Sequence, residues 1–220
     1  MTQDKICMFD SNYRGGAKPY DAKDIFVRCG DWNSKDETEF LPHQDRVVEA
    51  MTIHPFAGIP TRLDNNVAVL MLKEKFNLNE HIDTICLPDP LNPPKHLGKE
   101  CFVSGFGKKD FSRAAKYQNL MKRIQIDIVD HDECQTIYKD SGKYGPVFKL
   151  PKTLTCAGGK KGVDSCTGDG GGPLVCPDET RMTYYQVSIF SLFFYKMLSF
   201  SDDNVQIHQI LKPCLAYFNM

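Results

Sequence analysis

Several features are missing from this 220-residue sequence, and each absence narrows what it can be. None of its nine cysteines stands in a C-x-x-C pair, which argues against a zinc site. So many thiols are better explained by disulfides in an oxidising compartment. Neither sign of charge is in excess: 27 Lys and Arg face 28 Asp and Glu, a formal net charge of −1. That balance gives no electrostatic reason to expect nucleic acid or an anionic membrane as partner. The longest apolar run, residues 187–200, is too short to span a bilayer and is broken by Lys196. There is no N-x-S/T sequon. The opening Met1-Thr2-Gln3-Asp4-Lys5-Ile6-Cys7 lacks the apolar core of a signal peptide. Secretion chemistry without a leader leads to the expectation of a chain incomplete at its front end.

Helical periodicity is also scarce, whereas short β-branched and aromatic runs are frequent. Residues 24–32 (Asp-Ile-Phe-Val-Arg-Cys-Gly-Asp-Trp) read as one strand. Residues 43–55 read as a second, closed by Pro55, and Asn65 to Leu72 as a nearly continuous buried strand. Proline-rich sequence follows Ile85-Cys86-Leu87-Pro88 through Asn92-Pro93-Pro94 and reads as a linker. The fold class is all-β. A hydrophobic fraction of 41% and a charged fraction of 25% are ordinary for a soluble globular domain.

One stretch is more specific than any strand pattern: Asp164-Ser165-Cys166-Thr167-Gly168-Asp169-Gly170-Gly171-Gly172-Pro173. It resembles the nucleophile loop of chymotrypsin-like serine proteases, D-S-C-x-G-D-S-G-G-P, with glycine where the serine belongs. Cys101-Phe102-Val103-Ser104-Gly105-Phe106-Gly107 is similar to the C-x-x-x-G-W-G strand that opens that family's second barrel. The V-R-C-G-D-W and P-H-Q-D-R-V-V stretches resemble the clip-domain serine proteases and protease homologues of arthropods. The resemblance runs over about 24–187. It implies an incomplete chymotrypsin-like double β-barrel: a partial first barrel with linker over 1–98, a second barrel lacking its closing strands over 99–187, and an unrelated tail over 188–220.

Acyl transfer by serine needs an attacking hydroxyl, an imidazole to take its proton, and a carboxylate that fixes the imidazole tautomer. By resemblance, Gly170 holds the first position and supplies no oxygen. Asn66, an amide, stands immediately before Val67-Ala68-Val69-Leu70, where the carboxylate belongs; in active members Asp→Asn alone lowers turnover by about 10⁴-fold. The A-A-H-C motif of the base is absent, and aligning Cys7 with its cysteine puts Ile6 at the histidine position. The six histidines (His43, His54, His81, His96, His131, His208) read as surface or strand-end residues. Asp164 matches the floor of the trypsin-like specificity pocket, or is an ordinary loop aspartate. Asp169 matches the residue that pairs with the new amino terminus after activation; no R-I-V-G-G-like site is present to supply one, so the oxyanion hole is not expected to hold its shape.

The resemblance also implies disulfides Cys101–Cys176 and Cys134–Cys156. Cys7, Cys29, Cys86, Cys166 and Cys214 are left without an assigned partner, with Cys166–Cys214 or Cys7–Cys29 open. A missing native disulfide costs about 2–5 kcal/mol beside a total stability of about 5–15 kcal/mol. The function implied is that of a secreted, non-catalytic protease homologue. It would act as a binding cofactor in prophenoloxidase activation and related immune cascades, with no metal and no cofactor. Its partners would be other secreted proteins, prophenoloxidase or its activating protease among them. The alternatives are an active trypsin-type endopeptidase, which would need a nucleophile absent at position 170, and a truncated fragment without activity.

Overall fold

Alternating apolar side chains build two antiparallel sheets. The structure is a computed structural model and describes residues 7–8, 22, 25–35, 39–57, 65, 67–89, 91–92, 94, 97–109, 112, 114–141, 147–158, 169–190 and 205–210. The first sheet takes its strands in chain order: β1 (Cys7–Met8), β2 (Phe26–Cys29), β3 (Gln44–Ile53) and β4 (Ala68–Leu72). Val27 and Cys29 of β2 and Val48 of β3 point inward to a core completed by Ile25 and Ile82. On the outer face Arg28 lies opposite Asp45 in register, and the two form an ion pair at 2.7 Å.

The second sheet holds β5 (Cys101–Gly105), β6 (Lys122–Ile126), β7 (Ile128–Val129), β8 (Leu154–Gly158), β9 (Pro173–Pro177), β10 (Tyr184–Phe190) and β11 (Val205–Ile210). Their order is β6-β5-β9-β10-β11-β8-β7. Its two edge strands, β6 and β7, are consecutive in the chain and separated only by Asp127, so the sheet curls back on itself. Asp127 pins that corner: its Oδ1 accepts from Glu100 N at 2.8 Å and its carbonyl accepts from Gly158 N at 2.9 Å. Inside lie Cys101, Val103, Ile126, Ala157, Leu174 and Cys176. β11, in the segment 188–220 that the sequence alone reads as an unrelated tail, runs antiparallel between β10 and β8.

Among the described residues the regular elements are strands, as the sequence implies, with one exception. Residues His131–Asp140 form helix α1. Asp130 caps it, its side chain accepting from Asp132 N at 2.8 Å and Glu133 N at 3.2 Å. These bonds hold the Asp130 carboxyl below the usual carboxylate range, with the Glu133 amide the larger cause. Acidic residues in the first turn and Lys139 in the last complement the helix dipole. Few apolar residues mark the helix, which is why its period is weak in the sequence. The Asp130-x-x-Glu133 spacing was the available signal. The described residues of the linker form no strand, but Cys86 bridges Tyr185 in parallel, with Gln186 N donating to Cys86 O at 2.9 Å. At another contact, Met121 N of the second barrel donates to Trp32 O of the first at 2.9 Å.

Candidate functional site

Residues 169–172 form an exposed turn that enters β9, and glycine is what lets the backbone pack there. Gly172 N donates to Asp169 O at 3.0 Å, closing the turn. A Cβ on Gly172 would meet Ser104 O at 2.8 Å and Asp169 O at 2.9 Å. Gly171 has φ +89°, a conformation that L side chains rarely adopt. The turn is stitched to the end of β10 by two bonds: Gly171 N to Phe190 O at 2.8 Å, and Phe190 N to Gly172 O at 2.7 Å. Phe190 is fully buried, so this clamp has a rigid base.

Asp169 turns its carboxylate inward, and Gly107 N donates to its Oδ1 at 2.8 Å. The carboxylate fills the space that Cβ atoms on Gly105 and Gly107 would need. The two glycines of the C-x-x-x-G-x-G motif therefore vacate room for an acid 62 residues further along the chain. Asp169 thus has a backbone N–H as partner, a contact that sequence reasoning did not find. The motif spacing was the signal for it.

Gly170 lies exposed at the tip of this turn. Having no side chain, it offers the turn's shape and its backbone but no atom that can attack a carbonyl. Asn66, Asp164 and Cys166 lie outside the described residues. Of the histidines, His54 directly follows β3, its Nδ1 accepting from Phe56 N at 3.2 Å, and His81 Nε2 lies 3.0 Å from Pro42 O. His131 opens α1 and His208 falls on β11.

Both assigned disulfides are present. Cys101–Cys176 joins the neighbouring strands β5 and β9, and Cys134–Cys156 ties α1 to β8. Cys29 is also disulfide-bonded, and the register of β1 and β2 sets Cys7 opposite it, in keeping with the Cys7–Cys29 alternative left open by the sequence. Cys86 is free and exposed. At the far end of β9 from Gly170 lies an open groove of about 410 Å³ lined by Lys99, Glu100, Pro177, Asp178, Glu179 and Arg181. Arg181 spans it to Glu100 at 2.7 Å. The Asp178 carboxyl is held below its usual range, first by the Thr180 hydroxyl. Among the described residues there is no group of three or more His, Cys, Asp or Glu able to hold a metal. Nor is any of their helices long and apolar enough to cross a membrane.

Two antiparallel sheets, the second rolled on itself and carrying a glycine-built turn anchored by an inward aspartate, define the chymotrypsin-like class of all-β proteins. The chain belongs to the trypsin family: the family model described as Trypsin matches residues 18–196. That match extends past Val187, where the resemblance read from sequence stops, to include the end of β10. Among curated proteins, it is similar to "Phenoloxidase-activating factor 2" of Galleria mellonella, with 36% identity over 156 residues, 71% of this chain and 50% of that protein. It is also similar to "Inactive CLIP domain-containing serine protease A28" of Anopheles gambiae, 33% identical over 168 residues, 76% of this chain and 42% of that protein. A third relative is "Inactive CLIP domain-containing serine protease A3" of Aedes aegypti, 35% identical over 169 residues, 76% of this chain and 33% of that protein. The chain thus spans half or less of the length of these relatives.

Proposed function

We propose that this protein is a non-catalytic member of the trypsin family that acts by binding, as a cofactor or regulator of an extracellular proteolytic cascade of the prophenoloxidase-activating kind. The observation that carries this reading is Gly170. The turn around it keeps its closing bond, its clamp to Phe190 and its inward-turned aspartate anchor, yet carries no nucleophile. A turn retained without its reactive atom fits a surface that serves recognition. The names of the relatives favour the same reading, since two of them are called inactive and a third a phenoloxidase-activating factor. Asn66 at the carboxylate position and the missing A-A-H-C motif leave the other two catalytic roles empty as well. Asp164 is then a remnant of a specificity pocket. Its partners are other secreted proteins, prophenoloxidase or its activating protease among them.

Two assays test this. The chain should not hydrolyse an Arg-containing chromogenic peptide above buffer, and Gly170→Ser should not hydrolyse it either, because a hydroxyl without base and carboxylate stays protonated. Turnover by the wild-type chain refutes the non-enzyme reading, and turnover by Gly170→Ser shows that a base was overlooked. Added to prophenoloxidase and its activating protease, the chain should raise the yield of active phenoloxidase; an unchanged yield refutes the cofactor role.

A further inference from the structure

One contact between the two barrels leads back to the turn at Gly170. Residues 32–34, just past β2, lie antiparallel to residues 119–121, just before β6, with Asn33 bridging Leu120. Ser34 N donates to Asn119 O at 2.9 Å, and the Ser34 hydroxyl donates to the same oxygen at 3.2 Å. Met121 N donates to Trp32 O at 2.9 Å. On the first-barrel side this strap is held by a carboxylate: Glu39 Oε1 accepts from Trp32 N at 3.1 Å and from Asn33 N at 3.0 Å. Asp31 Oδ1 also takes the Asn33 N–H, at 3.0 Å, so Trp32 N is the donor that depends on Glu39. An ionised oxygen on two successive backbone N–H groups makes charge-assisted bonds, about twice as strong as neutral ones.

The segment that receives the strap is bonded a second time. Residues 117–118 pair with 106–108 across the connection between β5 and β6: Gln118 N donates to Phe106 O at 3.0 Å, and Lys108 bridges Tyr117. Between Phe106 and Lys108 stands Gly107, whose N–H donates to the Asp169 carboxylate at 2.8 Å. Residues 117–121 thus tie the strap to the amide that holds the anchor of the Gly170 turn. We propose that Glu39 is a positioning residue for the Asp169 anchor, acting through residues 32–34 and 117–121, so that the first barrel sets how firmly the Gly170 turn is held. When Glu39 lets go of Trp32, the strap loosens its grip on Asn119 and Met121. Residues 117–118 are then less fixed, and Gly107 loses support on both flanks. The effect runs both ways, since a coupling free energy between two sites is the same from either end. It does not depend on what the turn binds, so it stands apart from the functional reading above.

Amide hydrogen exchange measures each link, because it reports local opening one N–H at a time. Glu39→Ala should speed exchange at Ser34, Met121, Gln118 and Gly107 at least about fivefold, the lower end of typical couplings. Val48 N, bonded to Ile25 O, and Gly158 N, bonded to Asp127 O, lie in β3 and β8 away from this route and should keep their rates. Glu39→Gln retains an oxygen acceptor and should recover most of the lost protection. Asp169→Ala tests the reverse direction and should speed exchange at Trp32 at least about fivefold. An unchanged Gly107 in Glu39→Ala, or an unchanged Trp32 in Asp169→Ala, overturns the proposal. So does a uniform acceleration that includes Val48 and Gly158, which would make Glu39 a general stabiliser, or a Glu39→Gln variant no better protected than Glu39→Ala.

Discussion

The contact between Asp169 and Gly107 can be tested by adding a single methyl group. In Gly107→Ala the new Cβ would fall within the Asp169 carboxylate, which already accepts from Gly107 N at 2.8 Å. Gly107 does not adopt a left-handed φ, so the penalty is steric and not a matter of backbone freedom. Overpacking of this kind costs about 1–3 kcal/mol. Pushing the acid away loses a hydrogen bond to a charged group, worth about 1.5–3 kcal/mol. The single variant should therefore lose about 2.5–6 kcal/mol, a large part of a stability of about 5–15 kcal/mol. Asp169→Ala should cost about 1–3 kcal/mol for the unpaired Gly107 N–H alone. On that background the obstruction is gone, and adding Gly107→Ala should cost less than about 1 kcal/mol. Urea unfolding followed by far-UV circular dichroism, with disulfides intact, measures all four corners of the cycle. If Gly107→Ala stays within about 0.5 kcal/mol of wild type, or if the double variant costs the sum of the singles, the packing argument fails.

The two barrel disulfides close loops of different length, with sequence separations of 75 for Cys101–Cys176 and 22 for Cys134–Cys156. Chain entropy puts their contributions at about 4.5 and about 3.4 kcal/mol, so replacing the first pair by alanine should lower stability by about 1 kcal/mol more than replacing the second. Equal losses or the reverse order in denaturant melts would show that loop closure is not the governing term. Asp45 supplies a pH prediction, because its carboxyl is held below the usual range chiefly by the hydrogen bond from Arg28. With the folded pKa below the unfolded one, the pair's stabilisation is complete above about pH 4 and is lost as pH falls through the depressed value. Both side chains are about a third or more exposed, so its worth is under about 1 kcal/mol. Asp45→Asn should fall short of wild type by that small amount at pH 7 and converge with it as acid protonates Asp45; a gap that widened in acid would reverse the assigned sign.

Sequence by itself determined what depends on local order. Residues 24–32, 43–55 and 65–72 contain strands β2, β3 and β4, because side-chain alternation and proline act within a few residues. The run from Asp164 to Pro173 announces the family, and the cysteines matched to it pair as Cys101–Cys176 and Cys134–Cys156. Helix α1 was hidden because capping and charge, with little apolar periodicity, sustain it. The tertiary structure alone decided what distant residues do to one another. It put the Asp169 carboxylate into the space vacated by Gly105 and Gly107, and it clamped the Gly170 turn to Phe190. It also set β11 between β10 and β8. None of these follows from neighbours along the chain: each depends on strand register and the space between strands, which exist only once the sheets have formed.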